Sequence, residues 1–398
     1  MEDEFLRDWE ERGYDPNDIL RSKKRLADQF NRDGEKRFQM ESAVGGGVFG
    51  LAWKVKYTLA DADPGSTGSA AAPNVQHMVL KTDRIYLRDD DADGKEKGDE
   101  KVDDGDEDDE DDEDDEEKED STIVSEKKNL EILRWAKHVV NIITPPNNPL
   151  EKSGTLQKLI SRALEKDIEL PNRVLWRFFL CLIRMCIAMG WPPKKPDGET
   201  PEPVVEQIIG SARGGLIHAD MHDGNLMFGD FDEPDEAGLE HTLTPIMKLI
   251  DLGSMRTLIN TPENNRYAIQ QNIFDIGVIM VELITLEWDP PRSIQPSESE
   301  ARQFRLNATQ IILSNAAALL PNAGERDCYP KLDNALRGLV CACLATRPSN
   351  RPQPGGLATM VRRCINERDG QFYASRGVPG ESDWEIRALI QELLFDAD

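Results

Sequence analysis

The stretch Leu216-Ile217-His218-Ala219-Asp220-Met221-His222-Asp223-Gly224-Asn225-Leu226-Met227-Phe228 constrains this chain more than any other. An apolar pair leads in, a polar loop follows, and an apolar trio leads out. That is the pattern of a tight loop held between two buried segments. The loop carries Asp220 and then Asn225. Further on, the apolar run Ile246-Met247-Lys248-Leu249-Ile250 ends in Asp251-Leu252-Gly253. Phosphoryl transfer asks for such groups: a carboxylate to steer a hydroxyl, with an amide and a second carboxylate to hold Mg²⁺. Mg²⁺ takes a few hard oxygen ligands alongside substrate phosphates.

Charge is distributed unevenly. The chain has 398 residues and a net charge of −27, and residues 89–120 alone carry 23 Asp/Glu against 4 Lys. The rest is only mildly acidic, at −8. A broad nucleic-acid-binding surface is therefore not expected. The acidic block repels itself and buries nothing, so it is expected to be disordered. A partner with a basic surface fits its charge, weak Ca²⁺ association is the rival, and the spacing matches no EF-hand loop. The six cysteines (Cys181, Cys186, Cys328, Cys341, Cys343, Cys364) show no paired C-x-x-C spacing. No signal peptide is evident, and no apolar run of membrane-spanning length is found. The longest, 174–189, is interrupted by Arg177 and Arg184. These features point to a reduced, intracellular protein, cytoplasmic or nuclear, without a membrane partner.

In chain order, residues 1–37 form an N-terminal extension with a helix expected around 19–30. Its basic cluster of Arg21, Lys23, Lys24 and Arg25 reads as a solvated helix face, with a nuclear-localisation patch as the alternative. Next comes Gly45-Gly46-Gly47-Val48-Phe49-Gly50-Leu51-Ala52. Glycines at 45, 47 and 50 let a backbone pass close to phosphates without a Cβ clash. A Rossmann turn shares that spacing but runs into a helix, whereas 51–57 reads as a second strand. A third strand, 75–81, ends in Lys81. A helix over 121–140 carries Glu126, with Glu131 as its rival. The prolines of Thr144-Pro145-Pro146-Asn147-Asn148-Pro149 exclude a central strand there. Helices are expected at 155–165, 172–189 and 272–284, and from 300 to the end the chain is expected to be helical, with stripes at 311–320, 332–344, 357–365 and 384–394.

In order, these segments resemble a eukaryotic-type protein kinase domain over about 38–370. The resemblance rests on the turn Gly45–Gly50, Lys81, Glu126, the loop His218–Asn225, Asp251-Leu252-Gly253, the central helix at Gly277-Val278 and the late Arg351-Pro352. It implies an α+β, bilobal fold, with a small β-rich N-lobe over 38–153 and a large helical C-lobe over 154–370, followed by a tail at 371–398. It further implies an ATP/Mg²⁺-dependent transferase acting on a protein hydroxyl, Ser/Thr by default. Asp220 would orient the substrate hydroxyl, with His222 beside it. Asn225 and Asp251 would hold Mg²⁺. Lys81, braced by Glu126, would grip the ATP phosphates together with Gly45, Gly46, Gly47, Gly50 and Ala52.

The sequence also departs from that family. Ala219 replaces the Arg that receives an activation-loop phosphate, His222 replaces the Lys that contacts the γ-phosphate, and Leu252 replaces Phe. Asn272 stands where an Asp anchors the catalytic loop. Thr261-Pro262-Glu263 matches Ala-Pro-Glu only loosely, and the strand pair normally found near 144–152 is missing. These departures keep two other readings open. One is a kinase-like scaffold or binding module. The other is a small-molecule phosphotransferase, because His218-x-Asp220-x-His222 is similar to the loop of aminoglycoside and choline kinases.

Overall fold

The computed structural model describes residues 20, 23–24, 26–27, 30, 38–47, 50–58, 75–83, 122–140, 154–196, 202–232, 240–286, 301–305, 310–321 and 326–395. The expectations for the acidic block and for the 144–152 interval therefore lie outside the described residues. The described positions between 20 and 30 are helical, as the sequence predicts. The chain divides into two compact units, Met1–Ser125 with Ile143–Leu150, and Glu126–Ile142 with Glu151–Asp398.

In the first unit three strands form an antiparallel meander: β1 (Phe38–Gly47), β2 (Gly50–Thr58) and β3 (Val75–Asp83). The glycines end β1 and open β2 with Gly47 opposite Gly50, so the glycine stretch forms a hairpin and not a strand-to-helix turn. Gly45 pairs with Ala52, and Ala52 pairs with Lys81. One cross-strand row therefore holds three of the expected nucleotide-contacting residues. Register shifts beside Ser42 and Gly45 mark bulges in β1, a common device for redirecting a strand. Trp53 and Val55, two apart on β2, are buried.

The second unit is built around α3 (Asn172–Gly190), of whose residues only Arg177 is not buried. A helix buried on nearly every side belongs at the centre of a core. Before it come α1 (Thr122–Leu133) and α2 (Leu156–Glu165), the latter capped by the Thr155 hydroxyl accepting from the Lys158 amide. After it, the segment 191–215 leads to three short strands: β4 (Leu216–Ile217), β5 (Leu226–Phe228) and β6 (Met247–Leu249). β7 (Arg256–Thr257) follows. β4 pairs with β7 and β5 with β6, both antiparallel. α4 (Pro262–Thr285) packs on α3, with Thr261 as N-cap and Pro262 in the first turn. α5 (Asn334–Cys343), α6 (Pro354–Glu367), α7 (Gly370–Ala374) and α8 (Asp383–Ile390) complete the unit. Ile386, Ile390, Leu393 and Leu394 enter the same core as α3, so residues up to 395 belong to it.

Three sequence expectations are corrected. Residues 302–305 and 311–314 are not helical but form a hairpin, β8 (Arg302–Arg305) with β9 (Ile311–Ser314). The β-branched pair Ile311-Ile312 favours extended backbone, and the Ser314 hydroxyl donates to the Cys341 carbonyl at 2.7 Å, anchoring the strand on α5. α4 begins at Pro262, ten residues before the expected start, so the segment after Asp251 is shorter still. The polar first half of α4 masked it. By length and a mean hydropathy of 1.3 this helix would suffice to span a bilayer, but 72% of that window is buried inside the unit, where it acts as a core helix. The last expected helix is α-helical only to Ile390 and closes with a π-helical turn over Gln391–Phe395. All six cysteines are free, as their spacing implies.

Candidate active site

The two short hairpins bring the separated motifs together. Leu226 opposes Leu249 across β5 and β6, so Asn225, just before one strand, and Asp251, two residues past the other, emerge at the same end. The Ile250 amide donates to the Asn225 carbonyl at 2.9 Å, closing that end. The Asn225 side-chain amide donates to the Asp220 carbonyl at 2.9 Å and to its carboxylate at 3.3 Å. Asp220, Asn225 and Asp251 therefore form one constellation. Asn225 is buried, while the Asp220 side chain is half open to solvent, at 52%.

Two backbone features here could not be read from composition. Ala219 has φ +62 and Asp251 has φ +57, both in the left-handed region. For residues bearing a Cβ such conformations cost on the order of 1–3 kcal/mol, and they cluster where a site needs a particular side-chain direction. The strain is held from beneath by Asn272 on α4. Its side-chain carbonyl accepts the His218 amide at 3.3 Å, and its NH₂ donates to the Leu216 carbonyl at 2.8 Å. An amide at this position thus holds the loop through both of its ends. His218 is fully buried, with Nε2 3.3 Å from the Ile250 carbonyl. Burial lowers its pKa against the opposing pull of that carbonyl, Asp220 and Asp251, so its ring is neutral and acts as a spacer between the two hairpins.

His222 is committed locally. Its Nδ1 accepts the Gly224 amide at 3.0 Å, and its Nε2 lies 3.9 Å from the Asp220 carboxylate. The ring caps the 3₁₀ turn Asp223–Asn225 in place of a long, flexible lysine. Gly224 is required because a Cβ there would come within 2.7 Å of that ring. Gly214 admits no Cβ either, since it would lie 1.7 Å from the Met189 carbonyl. The approach to β4 is therefore pressed against the end of α3.

Glu126 lies near the start of α1, in the second unit, whereas Gly45, Gly46, Gly47, Gly50, Ala52 and Lys81 lie in the first. The pairing of Lys81 with Glu126 thus stays an expectation of the resemblance. The sequence reading missed Asn129. One turn after Glu126 it is buried and donates to the Leu252 carbonyl at 2.9 Å, tying α1 to the Asp251-Leu252-Gly253 turn. A polar residue on the apolar side of that helix was the available signal. Arg351 is also clarified. Its guanidinium donates to the Ala345 and Gln270 carbonyls and stacks over Phe274 at 4.6 Å, fastening α4 to the loop that follows α5.

No protein-family profile matches the chain, and a search of curated proteins finds no significant relative.

Proposed function

We propose that the protein is an ATP- and Mg²⁺-dependent phosphotransferase of the protein-kinase-like type, acting on a protein hydroxyl. The observation that carries this reading is the convergence of Asp220, Asn225 and Asp251 at one end of the β5–β6 hairpin, with left-handed backbone at Ala219 and Asp251. The donor set suits Mg²⁺: a carboxylate and an amide oxygen are both hard ligands. The Asn225 nitrogen is bonded to Asp220, which leaves its amide oxygen as the atom that would meet a metal. Mg-ATP, when bound, supplies the transferable phosphoryl group and neutralises its charge.

The chain's own residues do the rest in this reading. Asp220, half exposed and fixed by Asn225, orients the acceptor hydroxyl and takes its proton. Asn272 and His218 hold the loop so that this carboxylate keeps its place. Lys81 and the Gly45–Gly50 turn contact the phosphates. Removing a base of this kind typically costs about 10²–10⁴ in rate.

A second reading, a kinase-like binding module without turnover, is favoured by His222, whose ring is tied to Gly224 where the family keeps a mobile ammonium. Thermal unfolding with Mg-ATP, with Mg²⁺ alone and with ATP plus chelator separates the cases. A ligand at about 100 times its Kd raises stability by about 2.7 kcal/mol. Stabilisation by Mg-ATP that Asp251→Asn abolishes, together with transfer that Lys81→Ala also abolishes, supports the enzyme. Stabilisation without transfer supports the module. No stabilisation of the folded protein refutes the nucleotide site, and phosphorylation of small amines or alcohols but not of proteins moves the activity to the aminoglycoside/choline kinase type.

A further inference from the structure

Away from Asp220, four polar side chains meet in the interior of the second unit. They are His138 from the segment after α1, Cys181 from α3, Glu206 from the segment before β4, and His241 from the stretch before β6. His138, Cys181, Glu206 and His241 are each 2% exposed or less. The His138 and His241 Nε2 atoms are 3.1 Å apart, and Cys181 Sγ is 3.8 Å from His241 Nδ1. One ligand atom from each of these three residues lies within 4.8 Å of the others.

We propose that His138, Cys181 and His241 bind one soft late-transition-metal ion, Zn²⁺ or Cu⁺. Two imidazoles and a thiolate, with no carboxylate among the ligands, are what such ions select. Metal–ligand bonds of ~2.0–2.3 Å at tetrahedral angles put ligand atoms roughly 3.3–3.6 Å apart. His241 faces His138 with Nε2 and Cys181 with Nδ1 and can give the ion one of them, so with one ligand atom per residue the set spans up to 4.8 Å and closes on an ion by side-chain rotation.

The surroundings favour ligation as well. Glu206 accepts the His138 Nδ1 proton at 2.7 Å, and its other oxygen accepts the His138 backbone amide at 2.7 Å. A carboxylate on the far nitrogen fixes the ring so that Nε2 faces the cluster, the usual support for a metal-bound histidine. On the other side the Asp232 carboxylate accepts the amides of Glu240 and His241 and pairs with Lys137, which fixes the backbone that carries His241. Glu206 also lines a cleft of about 590 Å³ between α3 and α6. Three protein ligands satisfy Cu⁺ and leave Zn²⁺ one position for water. Without a metal, a single N–H···N hydrogen bond joins the two histidines, and this is the alternative that the experiment must exclude.

The site would brace the machinery already described. His138 sits where its carbonyl accepts the Leu249 amide, two residues before Asp251. One ion would thus join α3, the segment after α1 and the approach to β6. This site is independent of nucleotide binding, so it stands or falls separately from the proposed activity.

The test uses the full chain. Metal retained after purification is measured by mass spectrometry. The metal-free protein is then titrated with Zn²⁺ against a chromophoric chelator, and anaerobically with Cu⁺ against bicinchoninate. Co²⁺ serves as a spectroscopic probe of the thiolate. About one equivalent bound, with a sulfur-to-cobalt charge-transfer band lost in Cys181→Ser, is the expected result. Glu206→Gln is expected to weaken binding by about 10–100-fold, because it touches only the supporting carboxylate. Circular dichroism establishes that each variant folds, and if Cys181→Ser does not, Glu206→Gln decides. A folded wild type that retains neither metal and gives no cobalt band overturns the proposal. So does a band unchanged in both variants.

Discussion

Asp275 on α4 is a carboxyl enclosed by its neighbours, and replacing it with Asn should stabilise the protein above neutral pH. Its Oδ1 accepts from the Gln271 amide at 2.9 Å. Burial pushes its pKa from 3.8 up to about 7, against the weaker opposing effects of the Gln271 hydrogen bond and the Arg351 guanidinium. The nearby Cys186 thiol, itself shifted upward by burial, offers it no charge compensation. In the folded state Asp275 therefore keeps its proton to about pH 7, while in the unfolded chain it loses it near pH 4. Its contribution is fully present below pH 4 and is lost as pH rises to 7, at about 1.4 kcal/mol per pH unit. Three units amount to about 4 kcal/mol, which partial contact of the residue with solvent reduces to about 2–3. Asparagine has nearly the same shape and cannot ionise. Urea unfolding of both proteins from pH 4 to 8 should give a stability difference near zero at the acid end, rising to about 2–3 kcal/mol by pH 8. The acidic block titrates identically in both proteins and cancels. A difference that is flat with pH, or a variant less stable at pH 8, would show that the Asp275 carboxyl is not held neutral by its surroundings.

Three further outcomes follow from particular contacts. Asn272→Ala strands the His218 amide and the Leu216 carbonyl, and should cost about 2–4 kcal/mol in urea unfolding as well as any phosphoryl transfer; Asn272→Asp keeps the first bond, loses the second, and should fall between. Gly214→Ala places a Cβ 1.7 Å from the Met189 carbonyl, so a lowered melting temperature and raised amide exchange in the loop 216–225 are expected; an unchanged melt would sink the close-packing argument. Asp333 caps α5 through the Ala335 amide, accepts the Tyr373 hydroxyl at 2.8 Å and pairs with Arg368 at 3.1 Å. Asp333→Ala should cost about 3–5 kcal/mol, and a loss below about 1 kcal/mol would mean that the capping bond alone matters.

Where hydrophobic period and chemistry agreed, the sequence was legible. α3 carries a dense apolar run broken only by its arginines after Asn172, and was placed within one residue. The glycine hairpin was distinguished from a Rossmann turn by the β-prone residues after Gly50. The loop 216–228 was seen as two buried segments around polar ligands, and so it folds. What stayed hidden depends on contacts distant in sequence. Ile311 and Ile312 have helix-compatible spacing, and their pairing with β8 and the anchor of Ser314 on Cys341, 27 residues away, make them a strand. The left-handed backbone at Ala219 and Asp251 is imposed by Asn272 and the paired hairpins, and neither residue type advertises it. The His138, Cys181, Glu206 and His241 cluster draws one residue from each of four segments, so no local spacing reveals it.

The start of α3 is completed by Glu381, whose carboxylate accepts the Asn172 and Arg173 amides at 2.7 and 3.0 Å, while its backbone carbonyl accepts from the Arg173 guanidinium. Those partners are 209 residues apart. A ribosome adding about 5–20 residues per second needs on the order of 10–40 s to cover that interval. Throughout it this core helix exists without its cap, and without Ile386, Ile390 and Leu393 in the core it joins. The large unit therefore cannot finish folding domain-first as it emerges. It is a late-closing structure, exposed to aggregation and to chaperones until Glu381 and the segment up to Leu393 have emerged, and a nascent chain arrested before Glu381 should remain protease-sensitive throughout α3.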